Sequence, residues 1–226
     1  MKPRNKIKKN FPKRKPLVRR VFGWIFTLII AFYFLIAILL CMLRWVDPPF
    51  TAVQLERPYP RHYHFVPMSR ISLNIQHAVV SAEDTRFFQH HGFDWKEMGH
   101  AVEQDFEEGR KRGASTITQQ LVRNLFLNTS PSVIRKLVEI SIVPLTELIL
   151  TKNRILELYL NVIEYGPGIY GCEVASHTYF GVSAAAVSRD QAVKLAEILP
   201  APLHWKPGQK PKYGERISLR MHQAGW

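Results

Sequence analysis

Cysteine is almost absent from this sequence: its 226 residues include only Cys41 and Cys172. Two cysteines so far apart do not form the disulfide framework of a small secreted domain, so the fold must be stabilised by packing. The nine histidines form no group with the spacing of metal ligands, which argues against a zinc site held by the protein. The glycine-rich stretch at residues 165–171 lacks the spacing of a dinucleotide- or phosphate-binding loop, and we interpret it as a structural turn.

Acidic residues are missing from residues 1–20, which contain ten lysines and arginines. The rest of the chain has 21 basic and 18 acidic residues, so most of the formal net charge of +13 belongs to this short tail. A basic protein invites a nucleic-acid interpretation, but no DNA- or RNA-binding motif accompanies the charge. We therefore expect a basic tail and no nucleic-acid partner.

Charge of either sign is missing from residues 21–43, which are rich in isoleucine, leucine and phenylalanine. An apolar helix of this length can span a bilayer core of roughly 30 Å. The basic tail before it should stay in the cytoplasm, which places everything after Arg44 on the far side of the membrane. The run is too long for a cleaved signal peptide, and no small-residue cleavage site follows it. The sequence therefore predicts a single-pass membrane protein with an exported domain.

Alternation of apolar and polar residues, the pattern of a half-buried strand, is also missing, so we expect a mainly helical fold. Residues 44–68 contain five prolines and are predicted to form an extended connector with neither helix nor strand. The expected organisation is a cytoplasmic tail at residues 1–20, a transmembrane helix at 21–43, the connector at 44–68 and one helical domain at 69–226. That domain is large enough for its own core.

One acidic residue interrupts the apolar face of the first helix of this domain. Ile75 and Val79 recur at helical spacing, and Glu83 follows four residues later on the same face. Ser69 should cap this helix, and Gly92 should end it. Burial and a nearby helix C-terminus would both raise the pKa of Glu83, which suits an acid or base working near neutral pH. The alternative is a surface glutamate on a frayed turn.

A second stretch carries amides and hydroxyls where a solvated helix would carry Glu–Lys pairs. If Ser115 caps this helix, several polar side chains share an arc of about 140°. They are Thr116, Gln119, Gln120, Arg123 and Asn124. Such a face is either solvated or suited to sugar and phosphate groups, since an arginine near helix N-terminal amides binds phosphate well. The basic loop before it, residues 109–113, is either a solvated turn or a contact for anionic headgroups or substrate.

A third stretch places two cations and an acid on one helix face. Arg135 lies four residues and Lys136 three residues before Glu139, so the three side chains are neighbours. They form either a surface ion-pair cluster, which contributes little stability, or part of a site. Ser130 should cap this helix. Pro144 should break or kink it, because proline cannot donate a hydrogen bond to the carbonyl four residues before it.

Four ordered motifs, within about residues 48–207, resemble the glycosyltransferase family that polymerises peptidoglycan from lipid II. The first is Glu83-Asp84-x-x-Phe87-x-x-His90-x-Gly92, and the second is Gly113-x-Ser115-Thr116-Ile117-x-Gln119-Gln120-x-x-x-Asn124. The third is Arg135-Lys136-x-x-Glu139, and the fourth is Lys152-x-x-Ile155-Leu156-Glu157-x-Tyr159-Leu160-Asn161. With one anchor and no room for a penicillin-binding domain, the chain is most similar to the monofunctional biosynthetic members of the family. It departs from the family pattern at Arg123, where lysine is usual, and at Val143-Pro144, where the family helix usually runs on.

The resemblance implies a lysozyme-like helical fold with a cleft that opens at the membrane surface. It makes Glu83 the general base, which takes the proton from the acceptor 4-hydroxyl as it attacks the anomeric carbon of the lipid-linked donor. It makes Glu139 the second carboxylate. The side chains that it assigns to substrate binding are Asp84, Phe87, Ser115, Thr116, Gln119, Gln120, Arg123, Asn124, Arg135 and Lys136. The leaving lipid pyrophosphate needs cations, with or without a divalent ion (Mg²⁺ or Mn²⁺) that bridges its phosphates near Glu139.

The same resemblance implies a protein of the bacterial inner membrane with its catalytic domain in the periplasm. Its partners would be lipid II, the growing glycan strand and proteins of cell-wall synthesis or division. One alternative is a membrane-anchored murein hydrolase or lytic enzyme, which would protonate a sugar leaving group and have no use for phosphate-binding cations. Another is a non-catalytic scaffold that binds glycan, whose function would not depend on Glu83.

Overall fold

Helices form most of the structure, as the sequence predicts. The computed structural model describes residues 17–99 and 115–226, so residues 1–16 and the basic loop at 109–113 lie outside the described residues. The α-helices are α1 (Leu17–Leu43), α2 (Ala52–Glu56), α3 (Leu73–Glu83), α4 (Ile117–Phe126), α5 (Val133–Ile149), α6 (Lys152–Val162), α7 (Cys172–Phe180), α8 (Arg189–Ile198) and α9 (Pro211–Gln223). Residues 95–99 are also helical.

Helix α1 is long and apolar enough to cross a membrane over Arg19–Leu43. Most of its surface is exposed, whereas Ile36 and Leu40 are buried against the rest of the protein. The helix packs along α5, where the Tyr33 hydroxyl donates a hydrogen bond to Ser141 Oγ at 2.6 Å. Helix α1 therefore contains the whole uncharged run of the sequence and is joined to the helical domain along part of its length.

The segment that follows α1 is more regular than the sequence predicts. Thr51 caps α2 through a capping box with Gln54, a local signal that the prediction missed. Farther on, β1 (His62–Tyr63) pairs in parallel with β3 (Ile169–Tyr170), a partner that lies far away in the sequence. The prediction that residues 44–68 contain neither helix nor strand is therefore wrong.

A small sheet holds this segment against the domain. Strand β3 also pairs antiparallel with β2 (Glu164–Gly166), which gives the strand order β1-β3-β2. These strands are too short to show alternation, which is why the sequence indicates only a glycine-rich turn there. Gly168 has a φ of +73°, and a Cβ on it would lie 2.2 Å from the Pro60 carbonyl oxygen. Only glycine allows so close an approach of the two chain segments.

Side chains of α6 attach the membrane helix to the domain. Asn161 accepts a hydrogen bond from the Val66 amide at 2.8 Å and donates one to the Val66 carbonyl at 2.9 Å. Arg154 donates to the Leu43 carbonyl at 2.8 Å and forms an ion pair with Asp47 at 2.8 Å. Residues of the fourth sequence motif therefore support the architecture of the junction after α1.

Three helices begin slightly later than the sequence predicts. The N-caps are Ser72 for α3, Thr116 for α4 and Ser132 for α5, and each side-chain oxygen accepts an N–H of the first turn. The sequence favours Ser69, Ser115 and Ser130 instead. Each of these has a second hydroxyl residue close by, so the local pattern does not decide which one caps the helix.

The helix that leads into the first motif ends earlier than predicted. Helix α3 stops at Glu83 rather than near Gly92, and a short 3₁₀ turn, Phe87–Gln89, follows. Gly92 has a φ of +87°, and a Cβ there would lie 2.3 Å from Val143 Cγ1 of α5. This glycine is therefore required for a close contact with α5, and not for ending a helix.

Helix α5 continues through Pro144, so the predicted break is wrong. Proline removes one backbone hydrogen bond, but the neighbouring Ile142 and Val143 are fully buried in the core. Their packing outweighs the local preference of proline. The helix therefore continues past Val143-Pro144, the position at which the sequence departs from the pattern that it resembles.

The core lies between two groups of helices. Helix α3 packs against α8 and α9, whereas α4 packs against α2, α5 and α6. Cys172 is buried in this core and Cys41 is exposed on α1, and both are free thiols. The end of α3 and the polar side of α4 meet where the two groups join, and the candidate site lies there.

Candidate active site

Glu83 is the last residue of α3, and its carboxylate contacts α4. Oε2 accepts a hydrogen bond from Gln120 Nε2 at 2.6 Å. Burial raises the pKa of Glu83 above its usual value, while the hydrogen bond from Gln120 and the charge of Arg123 act in the opposite direction. The raised pKa agrees with the sequence prediction. Glu83 is half-buried and hydrogen-bonded to α4, which argues against the alternative of a surface glutamate on a frayed turn.

The Gln120 amide is held from both ends. Its Oε1 accepts a hydrogen bond from the Tyr159 hydroxyl of α6 at 2.9 Å, and its Nε2 also lies 3.4 Å from the Ser115 carbonyl oxygen. Burial keeps the pKa of Tyr159 well above its ordinary value, so the phenol stays a neutral donor. With Oε1 occupied by Tyr159, the amide presents its N–H groups to Glu83.

Glu139, the second predicted carboxylate, is buried, with 2% of its surface exposed. Its Oε2 accepts a hydrogen bond from Arg135 Nη1 at 2.5 Å, and its Oε1 is paired with Lys136 Nζ. Both partners come from the same helix, as the sequence predicts. Because Glu139 is this deeply buried, the three residues are not a surface ion-pair cluster, and the two cations compensate a charge that burial would otherwise make costly.

Ser115 connects the two carboxylates. Its hydroxyl accepts a hydrogen bond from Lys136 Nζ at 3.2 Å, while its carbonyl faces the Gln120 amide that binds Glu83. The path from Glu83 to Glu139 therefore runs through one glutamine, one serine and one lysine. The structure brings the first, second and third sequence motifs together around this path.

Arg123 lines a cleft beside this network. The cleft has a volume of about 200 Å³, and its walls include Arg57, Gln120, Asn124, Tyr159 and Glu164. Within residues 17–99 and 115–226, the Arg123 guanidinium has no hydrogen bond or ion pair with another side chain. By contrast, Arg57 is paired with Glu164 at 3.0 Å. Arg123 is thus a cation in a cleft with its donors available.

Two of the predicted polar side chains of α4 do not face this cleft. Thr116 and Gln119 are buried and form a reciprocal capping box, and Thr116 Oγ1 also donates to the Gly92 carbonyl at 2.7 Å. Asn124 does line the cleft, and its Nδ2 donates to the Gln120 carbonyl at 2.8 Å. The polar side of α4 is therefore divided into a structural part near its start and a cleft-facing part after it.

Asp84 is buried and supports the loop after α3. Its oxygens lie 2.9 and 3.1 Å from His90 Nε2, and Oδ2 accepts the Ile117 amide at 3.1 Å. Asp94 lies close enough to these two side chains for a shared metal ion, but its Oδ1 is paired with Arg86 at 2.9 Å. All three side chains already have hydrogen-bond partners in the protein. We therefore interpret them as a hydrogen-bonded support for the first motif.

Phe87 is fully buried and does not reach the cleft around Arg123. Lys152 Nζ lies 4.4 Å from the centre of its ring and forms an ion pair with Glu147 Oε1 at 2.8 Å. The Thr118 hydroxyl donates to the same oxygen at 2.5 Å. The aromatic residue of the first motif, the lysine of the fourth and a threonine of α4 are thus held together inside the protein.

The sequence analysis missed Glu147, Tyr213 and Arg220. Glu147 has one local signal, since Lys152 follows it across the break between α5 and α6. Tyr213 and Arg220 lie on α9 and donate hydrogen bonds to the last turn of α3. No local sequence pattern indicates either residue, because both lie far from Glu83 in the sequence and contact backbone carbonyls of α3 there.

Comparison with known proteins places this arrangement in a family. Residues 51–224 match the family described as Transglycosylase. The chain is 41% identical over 220 residues to a biosynthetic peptidoglycan transglycosylase of Shewanella oneidensis, which covers 92% of this chain and 94% of the relative. A protein with the same description from Vibrio parahaemolyticus is 38% identical over 208 residues (88% and 92%), and one from Pseudomonas aeruginosa is 35% identical over 219 residues (93% and 94%). The chain therefore belongs to the transglycosylase family.

Proposed function

We propose that this chain is a peptidoglycan glycosyltransferase that polymerises lipid II into β-1,4-linked glycan strands and releases undecaprenyl diphosphate during cell-wall synthesis. The description of its relatives supports transfer of peptidoglycan sugars. One observation carries the proposal: a desolvated carboxylate, Glu83, lies beside Arg123, whose donors are available in the described structure. A base and an anion-binding cation are the two groups that this transfer needs.

Glu83 acts as the general base in this proposal. The acceptor 4-hydroxyl oxygen attacks the anomeric carbon of the lipid-linked donor, and its proton passes to the Glu83 carboxylate. The new O4–C1 bond forms as the bond from C1 to the pyrophosphate oxygen breaks. A single displacement inverts an α-linked donor into a β-linked product. The raised pKa of Glu83 brings it closer to the operating pH, which favours proton transfer.

The leaving lipid pyrophosphate departs with the bonding electrons and needs positive charge instead of a proton. Arg123, Arg135 and Lys136 supply this charge. Arg123 makes the direct contact, because Arg135 and Lys136 already share Glu139. Guanidinium groups bind phosphate oxygens with charge-assisted, often bidentate hydrogen bonds. The other assigned contacts to sugar or phosphate come from Ser115, Gln120 and Asn124.

Glu139 organises the cations and holds no metal ion by itself. Both of its oxygens are occupied by Arg135 and Lys136, so they do not fit a metal site made by the protein. A divalent ion, Mg²⁺ or Mn²⁺, would be bound through the substrate phosphates. We assign Asp84, Phe87, Thr116 and Gln119 to the support of these groups, because each is buried and held by the protein itself.

Helix α1 anchors the enzyme in the bacterial inner membrane. The basic residues before it support an orientation with the N-terminus in the cytoplasm and the helical domain in the periplasm. Helix α5, which carries Arg135 and Lys136, packs along α1. A cation cluster on the helix that packs against the membrane helix suits a substrate whose pyrophosphate lies at the membrane surface. Partners in cell-wall synthesis or division would meet the enzyme on the periplasmic side.

The purified full-length protein in detergent, given lipid II, tests this proposal. We expect polymeric glycan, resolved from lipid II by electrophoresis, and release of undecaprenyl diphosphate. A murein hydrolase would leave lipid II unchanged and release fragments from preformed peptidoglycan. A glycan-binding scaffold would bind the polymer without turnover of either substrate. Either of these two results contradicts the proposed function.

A further inference from the structure

Helix α3 ends abruptly at its functional residue. The C-cap residue Asp84 has a φ of −160°, so the left-handed residue that often closes a helix is not present here. The Asp84 amide donates to the Val80 carbonyl at 2.9 Å. The following carbonyls, those of Ser81 and Ala82, belong to the group that a helix end leaves without backbone donors.

Side chains of α9 donate to these carbonyls. Arg220 Nη1 lies 3.0 Å from the Ser81 oxygen and 3.5 Å from the Ala82 oxygen. The Tyr213 hydroxyl lies 3.3 Å from the Ala82 oxygen. The last turn of α3, directly before Glu83, is therefore held from another helix.

The position of α9 is itself fixed by packing. Tyr213 and Arg220 are two helical turns apart, so they share one face. Ile217 and Met221 lie between or beside them and are fully buried. On the other side, a Cβ on Gly214 would lie 2.1 Å from Glu197 Oε1 of α8. The two donors thus stand on a helix that is packed closely against both α3 and α8.

Arg220 also contributes charge. Its positive charge lowers the pKa of Glu83, in opposition to the larger effect of burial. The groups that act on Glu83 are Asp84 next to it, Gln120 and Arg123 of α4, and Arg220 of α9; the neutral phenols of Tyr159 and Tyr165 lie close as well. Arg123 lines the cleft, whereas Arg220 binds the backbone carbonyls directly before Glu83.

We propose that Arg220 and Tyr213 are positioning residues for Glu83: from α9, their side chains cap the last turn of α3, which carries this carboxylate. The inference rests on the proposed function, since it assigns Glu83 as the base. It extends the candidate active site beyond the four sequence motifs to α9, which packs against α3.

Substitution of Arg220 tests the proposal in the full-length protein. Arg220→Gln keeps an N–H donor for the Ser81 carbonyl but removes the charge. We expect the acidic limb of the rate of lipid II polymerisation to move to higher pH by about 0.5–1 unit, with a several-fold lower plateau and little change in KM. Arg220→Lys restores the charge and should return the limb to the position of the parent. The matched control is Arg216→Gln, on an exposed arginine of the same helix, which should behave as the parent.

The second readout does not need substrate. The ¹³C chemical shift of the Glu83 carboxyl, assigned by comparison with Glu83→Gln, should titrate at higher pH in Arg220→Gln than in the parent and in Arg220→Lys. If Arg220→Gln does not fold, Tyr213→Phe replaces it, and the plateau rate should fall several-fold with the thermal midpoint retained. The proposal is overturned if neither the acidic limb nor the titration of the Glu83 carboxyl moves in Arg220→Gln. An unchanged rate in Tyr213→Phe also overturns it.

The two readouts separate this inference from the proposed function. A parent protein that leaves lipid II unchanged refutes the proposed function, yet the carboxyl titration still shows whether Arg220 acts on Glu83. A parent that polymerises lipid II, with variants that match it in rate and titration, refutes only the inference.

Discussion

Gln120 donates its hydrogen bond to Glu83 at 2.6 Å, and this short contact determines how the carboxylate is oriented. The amide cannot turn over without losing the Tyr159 hydrogen bond at its other end. A neutral donor thus faces the carboxylate in every state in which Tyr159 stays protonated. The contact stabilises the ionised form of Glu83, which is the form that a base requires.

Removal of this donor should change the pH dependence. In Gln120→Leu the pKa of Glu83 should rise further, because burial remains while a hydrogen bond to the charged form is lost. A base is active above its pKa, so the acidic limb of the rate profile should move to higher pH. Tyr159→Phe should move the acidic limb in the same direction but by a smaller amount, because the Gln120 amide stays in place and only loses the hydrogen bond that fixes its orientation.

The measurement is the initial rate of lipid II polymerisation against pH. Gln223→Leu, on an exposed glutamine of α9, is the matched control and should keep the parent profile. A limb that stays in place in Gln120→Leu, or moves to lower pH, would show that this hydrogen bond does not tune Glu83.

Arg123 should bind the pyrophosphate mainly through its charge. Hydrogen bonds to charged groups contribute about 1.5–3 kcal/mol, so Arg123→Gln should lose roughly 10–100-fold in kcat/KM. Arg123→Lys keeps the charge and should be tolerated better. Circular dichroism should show the same fold in both variants, because within residues 17–99 and 115–226 Arg123 forms no hydrogen bond or ion pair with another side chain and lines a cleft. Equal activity in Arg123→Gln and the parent would refute the assignment.

Glu139 should matter for stability as well as for activity. Removing Glu139 leaves the partly buried charges of Arg135 and Lys136 without their shared partner, which is destabilising. Glu139→Gln should therefore lower the thermal midpoint and weaken donor binding. Asp190→Asn is the control, because it removes an ion pair of the same i,i+4 spacing, to Lys194, on the exposed surface. If both variants unfold at the same temperature as the parent, Glu139 does not hold the cation cluster together.

The basic tail before α1 predicts that the helical domain lies outside the cytoplasm. A reporter that works only outside the cytoplasm, fused after Trp226, should be active in cells. The same fusion with a reporter that works only inside should be inactive. Activity of the internal reporter alone would contradict the orientation proposed from the basic tail.

Local sequence patterns predict much of this fold. The uncharged run locates α1, and the spacing of Ile75 and Val79 locates α3. Local caps mark other helix starts, such as the capping box of Ser188 with Gln191 at α8 and Thr151 at α6. The ion-pair triad around Glu139 is predictable because its members lie within one turn of one helix. These features depend on residues that are close in the sequence, so the sequence alone contains the information.

Other features depend on contacts between distant segments. The pairing of β1 with β3 and the passage of α5 through Pro144 are decided by packing across the fold. The same holds in the candidate site. Tyr159 sets the orientation of Gln120 from another helix, and Arg220 binds the end of α3 from α9. No local pattern distinguishes these two residues from ordinary buried or surface side chains.

The most direct test of this account is the rate of Glu83→Gln with lipid II. Glutamine keeps the shape of the side chain but cannot accept the proton, and general-base catalysis contributes about 10²–10⁴-fold. Glu215→Gln, on an exposed glutamate of α9, serves as the control and should match the parent. We expect polymerisation by Glu83→Gln to fall by about 10²–10⁴-fold, while lipid II binding and the thermal midpoint are retained. Polymerisation by Glu83→Gln at a rate near that of the parent would contradict it.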